Sequence, residues 1–189
     1  MPVNKTTPLP PWASATVEPK RKFKFILTLG DIPAWVVKSA SRPNLTVSIG
    51  AKHSFLGHEF KYPGRVTWEN IDITLVEPID TDISAVVLQV VEKAGYTLPS
   101  KWTAGNEGWR TTLSKRKFSS NKLGDVSVKM LDSDGNMVER WTLRNAWVSN
   151  LNYSDLDYGG EELTELKITL VFDYACLLYT SDAADDLLC

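Results

Sequence analysis

His53 and His58, two clusters of carboxylates and two basic runs are the residues of this chain with the chemistry to hold a metal, move a proton or grip a phosphate. The histidines stand five residues apart, which matches neither one face of a strand nor one face of a helix, and no cysteine is near. No metal site is expected from them. With two histidines in all, a catalytic triad has little to be built from. The run Asp132-Ser133-Asp134-Gly135-Asn136 begins like a calcium loop but lacks the distal glutamate and lies between two alternating runs. It reads as a hairpin turn with Gly135 at positive φ. The carboxylates of residues 155–162, DLDYGGEE, come with no pocket signal and read as turn residues in water rather than as a general acid and base. Lys115-Arg116-Lys117 follows Trp102 and Trp109, an interleaving that can stack single-stranded nucleic acid. No basic stripe continues the path, so contact between subunits is the preferred reading. Lys20-Arg21-Lys22 reads as a solvated strand edge. Nucleophile, base and orienting group cannot be assembled, so neither an enzyme nor a cofactor is expected.

Composition sets the frame for these residues. A chain of 189 residues, 43% hydrophobic, can bury one core. Its apolar runs are too short for a membrane span, and no basic-then-apolar leader opens it. A formal charge of -2 argues against a nucleic-acid or membrane surface. Cys176 and Cys189 both fall in the last segment, so the body is expected to owe nothing to disulfides.

The organising stretch runs from Lys61 to Gly95. A Pro63-Gly64 turn is expected to release a strand with Ile71, Ile73 and Leu75 on one face and Asn70, Asp72 and Thr74 on the other. Pro78 stops it, Asp80 or Thr81 is placed to cap a helix carrying Ile83, Val86, Val87, Val90 and Val91, and Gly95 closes that helix. Residues 1–19, with five prolines, read as an extended arm, whose Trp12 either tucks against the domain or docks on a neighbour. A first strand follows with Phe23, Phe25, Leu27 and Leu29 on one face, then strands over residues 35–41 and 45–49. Residues 51–62 read as a projection bearing exposed Phe55, Leu56 and Phe60, the kind of surface that meets a partner. Residues 96–121 read as an irregular contact-making loop. Beyond it, Val126, Val128 and Met130, then Trp141, Leu143 and Trp147, then Leu166, Ile168, Leu170, Phe172 and Tyr174 alternate as a meander. A mainly β fold follows, a β-sandwich or barrel with one flanking helix.

Lys61 to Pro78, the helix after it, and the closing RWTLRNAWVSNLNYSDLDYGGEELTELKITLVFDYA together resemble the tail-tube proteins of contractile-tailed bacteriophages, across residues 20–175. The most specific pieces are the turn at Pro63-Gly64 leading into Trp68, the run Trp141 to Leu143 followed by Trp147, and the closing Asp173 to Ala175. The resemblance implies a tail-tube β domain, six copies of which form a ring, with rings stacked into a hollow tube inside a sheath. It implies a virion protein, made in the host cytoplasm, with the sheath protein and a baseplate or tube initiator as partners and DNA passing through the lumen unbound. It further implies inter-ring contact by His53, Phe55, Leu56, His58, Phe60 and Tyr62, and inter-subunit contact by Trp12, Trp102 and Trp109. The polar face of Asn70, Asp72 and Thr74 would suit the lumen, because a basic lining holds phosphates.

Residues 176–189 depart from the family and read as a disordered or artefactual appendage whose aspartates carry the chain's excess of acids. Two other functions fit the sequence. One is a related part of the same machine: a tube initiator or terminator, or a secretion tube protein derived from phage tails. The other is a β-sandwich module binding carbohydrate or nucleic acid on Trp102, Trp109 and Trp147, against which Trp147 counts by being in phase with Trp141 and Leu143.

Overall fold

A computed structural model describes residues 18–103, 112–120, 123, 126–179 and 187–188. Trp12, Trp109 and most of the expected N-terminal arm lie outside the described residues. Strands β1 (Phe25–Thr28), β6 (Val126–Leu131), β7 (Met137–Arg144), β10 (Tyr174–Tyr179) and β11 (Leu187–Leu188) form one sheet in the order β1-β6-β7-β10-β11. Strands β2 (Val37–Ala40), β5 (Ile71–Val76), β8 (Trp147–Tyr153) and β9 (Glu165–Val171) form a second, ordered β2-β5-β9-β8, and β3 (Leu45–Phe55) pairs with β4 (His58–Trp68) and, among the described residues, with no other strand. Leu27, Val126, Val128 and Leu143 of the first sheet pack against Ile71, Ile73, Leu166 and Ile168 of the second, which makes the body a sandwich. The fold is mainly β, as the alternation predicts.

The alternation in β5 appears as read: Ile71, Ile73 and Leu75 are buried, while Asp72 and Thr74 stay half-exposed on the other face. Helix α1 (Ile83–Lys93) flanks the core through Ile83, Val87 and Val90. Its cap is Asp82 instead of the expected Asp80 or Thr81, with its carboxylate accepting from the Ala85 amide at 2.8 Å. Gly95 ends the helix at φ 121. A second helix, α2 (Lys115–Ser120), occupies part of what reads as irregular loop, and Phe118 plants it in the core. The β6–β7 turn is held by Asp132, whose carboxylate accepts from the amides of Asp134 at 3.0 Å and Asn136 at 2.7 Å, with Gly135 at φ 88.

Several boundaries move. Phe23 sits in an exposed turn ahead of β1 rather than on its core face, because a Lys24-to-Arg21 backbone bond turns the chain there. Trp35 lies in a 3-10 turn (Ala34–Val36) instead of a strand. Pro63 and Gly64 do not form a turn but lie inside β4, and the reversal comes at Leu56 and Gly57, both at positive φ. The two apparent long strands of the second half each break and change sheets: β7 to β8 at Asn145, φ 57, and β9 to β10 at Asp173. The chain after Ala175 stays in the body as far as Tyr179, because Cys176–Tyr179 continue β10 against Thr142–Glu139 of β7. Cys176 is buried in that strand and disulfide-bonded, while residues 20–175 hold no cysteine.

Two buried or bridging carboxylates tie remote segments together. Glu139, almost wholly buried, meets Lys20, Arg42 and the Trp141 indole. Burial raises its pKa, but hydrogen bonds from Lys20 and Trp141 and the charges of Lys20 and Arg42 outweigh that, and the carboxyl lies below its ordinary range. Asp173 sits at the double crossover. Its amide donates to the Arg144 carbonyl at 3.0 Å, and its carboxylate accepts from Asn145 Nδ2 at 2.7 Å and Lys115 Nζ at 2.5 Å. Those side-chain bonds, Lys115 first, hold the carboxyl below its ordinary value. Because its pKa falls on folding, its contribution is present above the unfolded carboxylate value of about 3.9 and is lost as pH drops through the folded one. Asp173→Ala should lower unfolding stability at pH 7 by about 1 kcal/mol, discounted for its exposure. Urea titrations should show the gap from the parent chain narrowing below pH 4. A gap independent of pH would mean that the carboxylate charge is not what holds the crossover.

Candidate assembly surfaces

The β3–β4 hairpin has two unlike faces and, except for Trp68, no covered residue. In the register, His53 pairs with Phe60 and Phe55 with His58, so these four share one face. Tyr62 continues the same alternation. The other face carries Lys52, Ser54, Glu59 and Lys61, with Glu59 paired to Lys52 at 3.3 Å and to Lys61 at 3.9 Å. Leu56 projects from the tip, and the His58 and Phe60 rings meet edge to face at 4.8 Å. The expected projection is therefore real but longer than residues 51–62: the strands leave the body from Leu45 to Thr67, with Trp68 packed on the core beside Phe172, adding exposed Leu45, Val47, Ile49 and Val66 to the apolar set. His53 and His58 come out as diagonal neighbours on one face, and among the described residues no group of three or more metal-ligating side chains forms.

Midway along the arm, the two backbones come together. The register shifts between Val47 and Ile49 and again before Lys52, and Gly50 faces Gly64. A Cβ on Gly64 would lie 2.9 Å from both the Cα and the N of Gly50, and 2.5 Å from Ser48 Oγ. Only glycine fits there.

The outward face of the four-stranded sheet is polar throughout its middle. Ser39, Thr74, Lys167 and Asn152 form one cross-strand row, and Asp72, Thr169 and Asn150 form the next. Asp72 accepts from Thr169 Oγ1 at 2.8 Å and pairs with Lys167 at 2.9 Å, so the charges on this face cancel locally. Those hydrogen bonds, Lys167 first, hold the Asp72 carboxyl below its usual value. Asn70, Asp72 and Thr74 thus stand with the polar surface, Asn70 just ahead of the strand. On either side the sheet ends at β2 and β8, which have no further strand beside them among the described residues.

Of the tryptophans named as contacts or platforms, Trp102 is half-exposed at the end of a 3-10 turn and donates to the Thr97 carbonyl at 3.1 Å. Trp147 packs on the core with its ring 6.4 Å from that of Phe118, so it offers no free stacking face beside Trp102.

The family described as T4-like virus tail tube protein gp19 matches residues 21–175. A tail tube protein of Serratia phage KSP90 is 27% identical over 104 residues, which are 53% of this chain and 50% of that protein. The chain therefore spans about half the length of that relative. The tube-terminating cap of the anti-feeding prophage is similar in structure, with a TM-score of 0.59 at 19% identity, covering 88% of this chain and 95% of that one. The PVC sheath-tube complex of an extracellular contractile injection system gives 0.56 at 18% identity over 86% and 93% of the two chains. At such identities the likeness is one of fold.

Gly64→Ala should break the mid-arm pairing without touching the sandwich. Amide exchange in β3 and β4 should accelerate around Ser48 to Gly50, while the melting temperature of the body stays unchanged. Unaltered protection of those amides would mean that the two backbones are not in contact there.

Proposed function

The chain belongs to the T4-like virus tail tube protein family, a family of structural proteins and not of enzymes, and from that membership we propose that it is a subunit of the inner tube of a contractile tail. The observation that carries this reading is a finished core beside unfinished sheets. The sandwich interior is filled, yet β2, β8 and the β3–β4 arm keep backbone and apolar groups that the described residues of their own chain do not cover. Identical copies complete such edges by repeating one lateral contact until a ring closes, six copies in this reading. The arm, too long and too bare to serve its own subunit, reaches the next ring through His53, Phe55, Leu56, His58, Phe60 and Tyr62.

The polar face around Asn70, Asp72 and Thr74 lines the lumen in this arrangement. With Lys167 neutralised by Asp72, it has no surplus cations to hold a phosphate backbone, and DNA passes without specific binding. Sheath protein surrounds the tube, a baseplate component starts it, and the assembled protein resides in the virion tail. Trp12, Trp102 and Trp109 serve the contacts between neighbouring subunits. A tube initiator or terminator shares the same fold, and a subunit of that kind stops after one ring. Purified chain viewed by negative-stain microscopy distinguishes the two: long tubes identify the tube subunit and isolated rings a cap. The double variant Phe55→Ser and Phe60→Ser should keep its melting temperature and lose stacking, giving at most single rings. Tubes of normal length from that variant would show that the arm does not join rings.

A further inference from the structure

On the open side of the sandwich, between edge strands β1 and β2, lies a groove of about 1070 Å³. Its apolar lining includes Phe23 and Trp35, 74% and 69% exposed, which the subunit's own core does not use. Around them stand Lys20, Arg21, Lys22, Lys38 and Arg42, and no carboxylate is among the lining residues. Glu139 answers Lys20 and Arg42 from below, and Glu165 answers Lys38. Arg21 and Lys22 face solvent.

The β8–β9 loop, residues 154–164, is the reverse in composition. It carries Asp155, Asp157, Glu161 and Glu162 with no basic residue, and its Leu156 and Tyr158 are 85% and 112% exposed. Its fold is set by local bonds, the Gly159 amide to Asp157 Oδ1 at 3.0 Å and the Glu165 amide to Ser154 Oγ at 3.1 Å, so Tyr158 is held out rather than folded in.

Register puts the loop and the groove at one level. Val37 pairs with Leu75, Leu75 with Leu166, and Leu166 with Tyr153, a single row across the four strands. The segment bearing Trp35 leaves that row from edge β2, and the loop leaves it from edge β8, both at the same end of the sheet. A head-to-tail lateral repeat that sets edge β8 of one copy beside edge β2 of the next therefore carries the loop to the groove. We propose that the groove is the docking site for the β8–β9 loop of a second copy of this chain, with Leu156 and Tyr158 seated against Phe23 and Trp35 and the loop carboxylates facing Arg21 and Lys22. Within one chain, the hydrogen bond and charge of Glu165, and to a lesser degree the charge of Glu162, already raise the pKa of Lys38, so acidic chemistry suits that end of β2. Glu162 and Glu165 are engaged in this way inside the subunit, which leaves Asp155, Asp157 and Glu161 for the neighbour.

This inference rests on the lateral ring contact of the tube reading, and a charge swap separates the two. Arg21→Glu with Lys22→Glu, or Asp155→Lys with Asp157→Lys, should each raise the protein concentration needed for assembly about tenfold at low salt, an effect that salt blunts. All four changes in one chain should bring it back to within about threefold of the parent value, since every contact then regains opposite charges. If the parent chain forms tubes but the fourfold variant does no better than the worse pair, or neither pair has an effect, the docking falls and the tube reading stands. If the parent chain does not assemble, the tube reading falls, and a labelled synthetic peptide of residues 154–164 decides the docking by fluorescence anisotropy. Binding that weakens at least fivefold in Trp35→Ala supports it, and no binding overturns it. Binding that appears only after deletion of residues 1–17 also overturns it, by making the chain's own arm the occupant.

Discussion

Two strands that change sheets side by side hold this sandwich together. β7 leaves the first sheet at Asn145 to become β8 of the second, and β9 leaves the second at Asp173 to become β10 of the first. The crossings are bonded to each other through the Asp173 amide and carboxylate, and Lys115 brings α2 to the same point. The sheets therefore share covalent continuity twice at one corner, and the core between them cannot open there without breaking both. Only Asn145 needs a left-handed backbone for this, a conformation that asparagine tolerates better than most residues.

With that corner closed, the rest of the body can stay open. The second sheet has an apolar inner face and a polar, charge-cancelled outer one, and its edges stop at β2 and β8. An isolated two-stranded ribbon is marginal by itself, and β3–β4 carries an apolar face through water as well. Among the described residues nothing on the sandwich covers that face, and in the proposed tube its covering is a gain made on assembly.

Alternation was legible wherever one face of a strand is buried in its own subunit. Ile71, Ile73 and Leu75, the Val126 to Met130 run and the Leu166 to Leu170 run all stand where period-two patterning places them, and Gly95 and Gly135 take the positive φ their positions imply. The arm was harder to delimit, because Leu45, Val47 and Ile49 alternate as a half-buried strand would, although the face they present is empty. Pattern records that a face will be covered but not by which molecule. The crossovers were invisible for a related reason: Trp141, Leu143 and Trp147 keep one rhythm through Asn145 because both sheets line one core. Phe23 keeps the rhythm of Phe25 and Leu27, and Trp35 falls where a strand is expected, yet both line a groove instead. Helix α2 is short and basic at its start, with Phe118 as its core anchor, too little period for recognition.

The bare contact between Gly50 and Gly64 has a mechanical consequence. At that level neither glycine has a side chain to stiffen the ribbon, and across the shifted register Ser48 Oγ, accepting from the Arg65 amide at 2.9 Å, stands in for ladder bonds, so resistance to flexing is lowest halfway along the arm. In a stack of rings, curvature stretches the spacing on the outer side and compresses it on the inner side. If, as proposed, the arm joins one ring to the next, its compliant midpoint would absorb the difference by pivoting its distal half while the tip stays seated, and a long filament would bow under load without parting between layers.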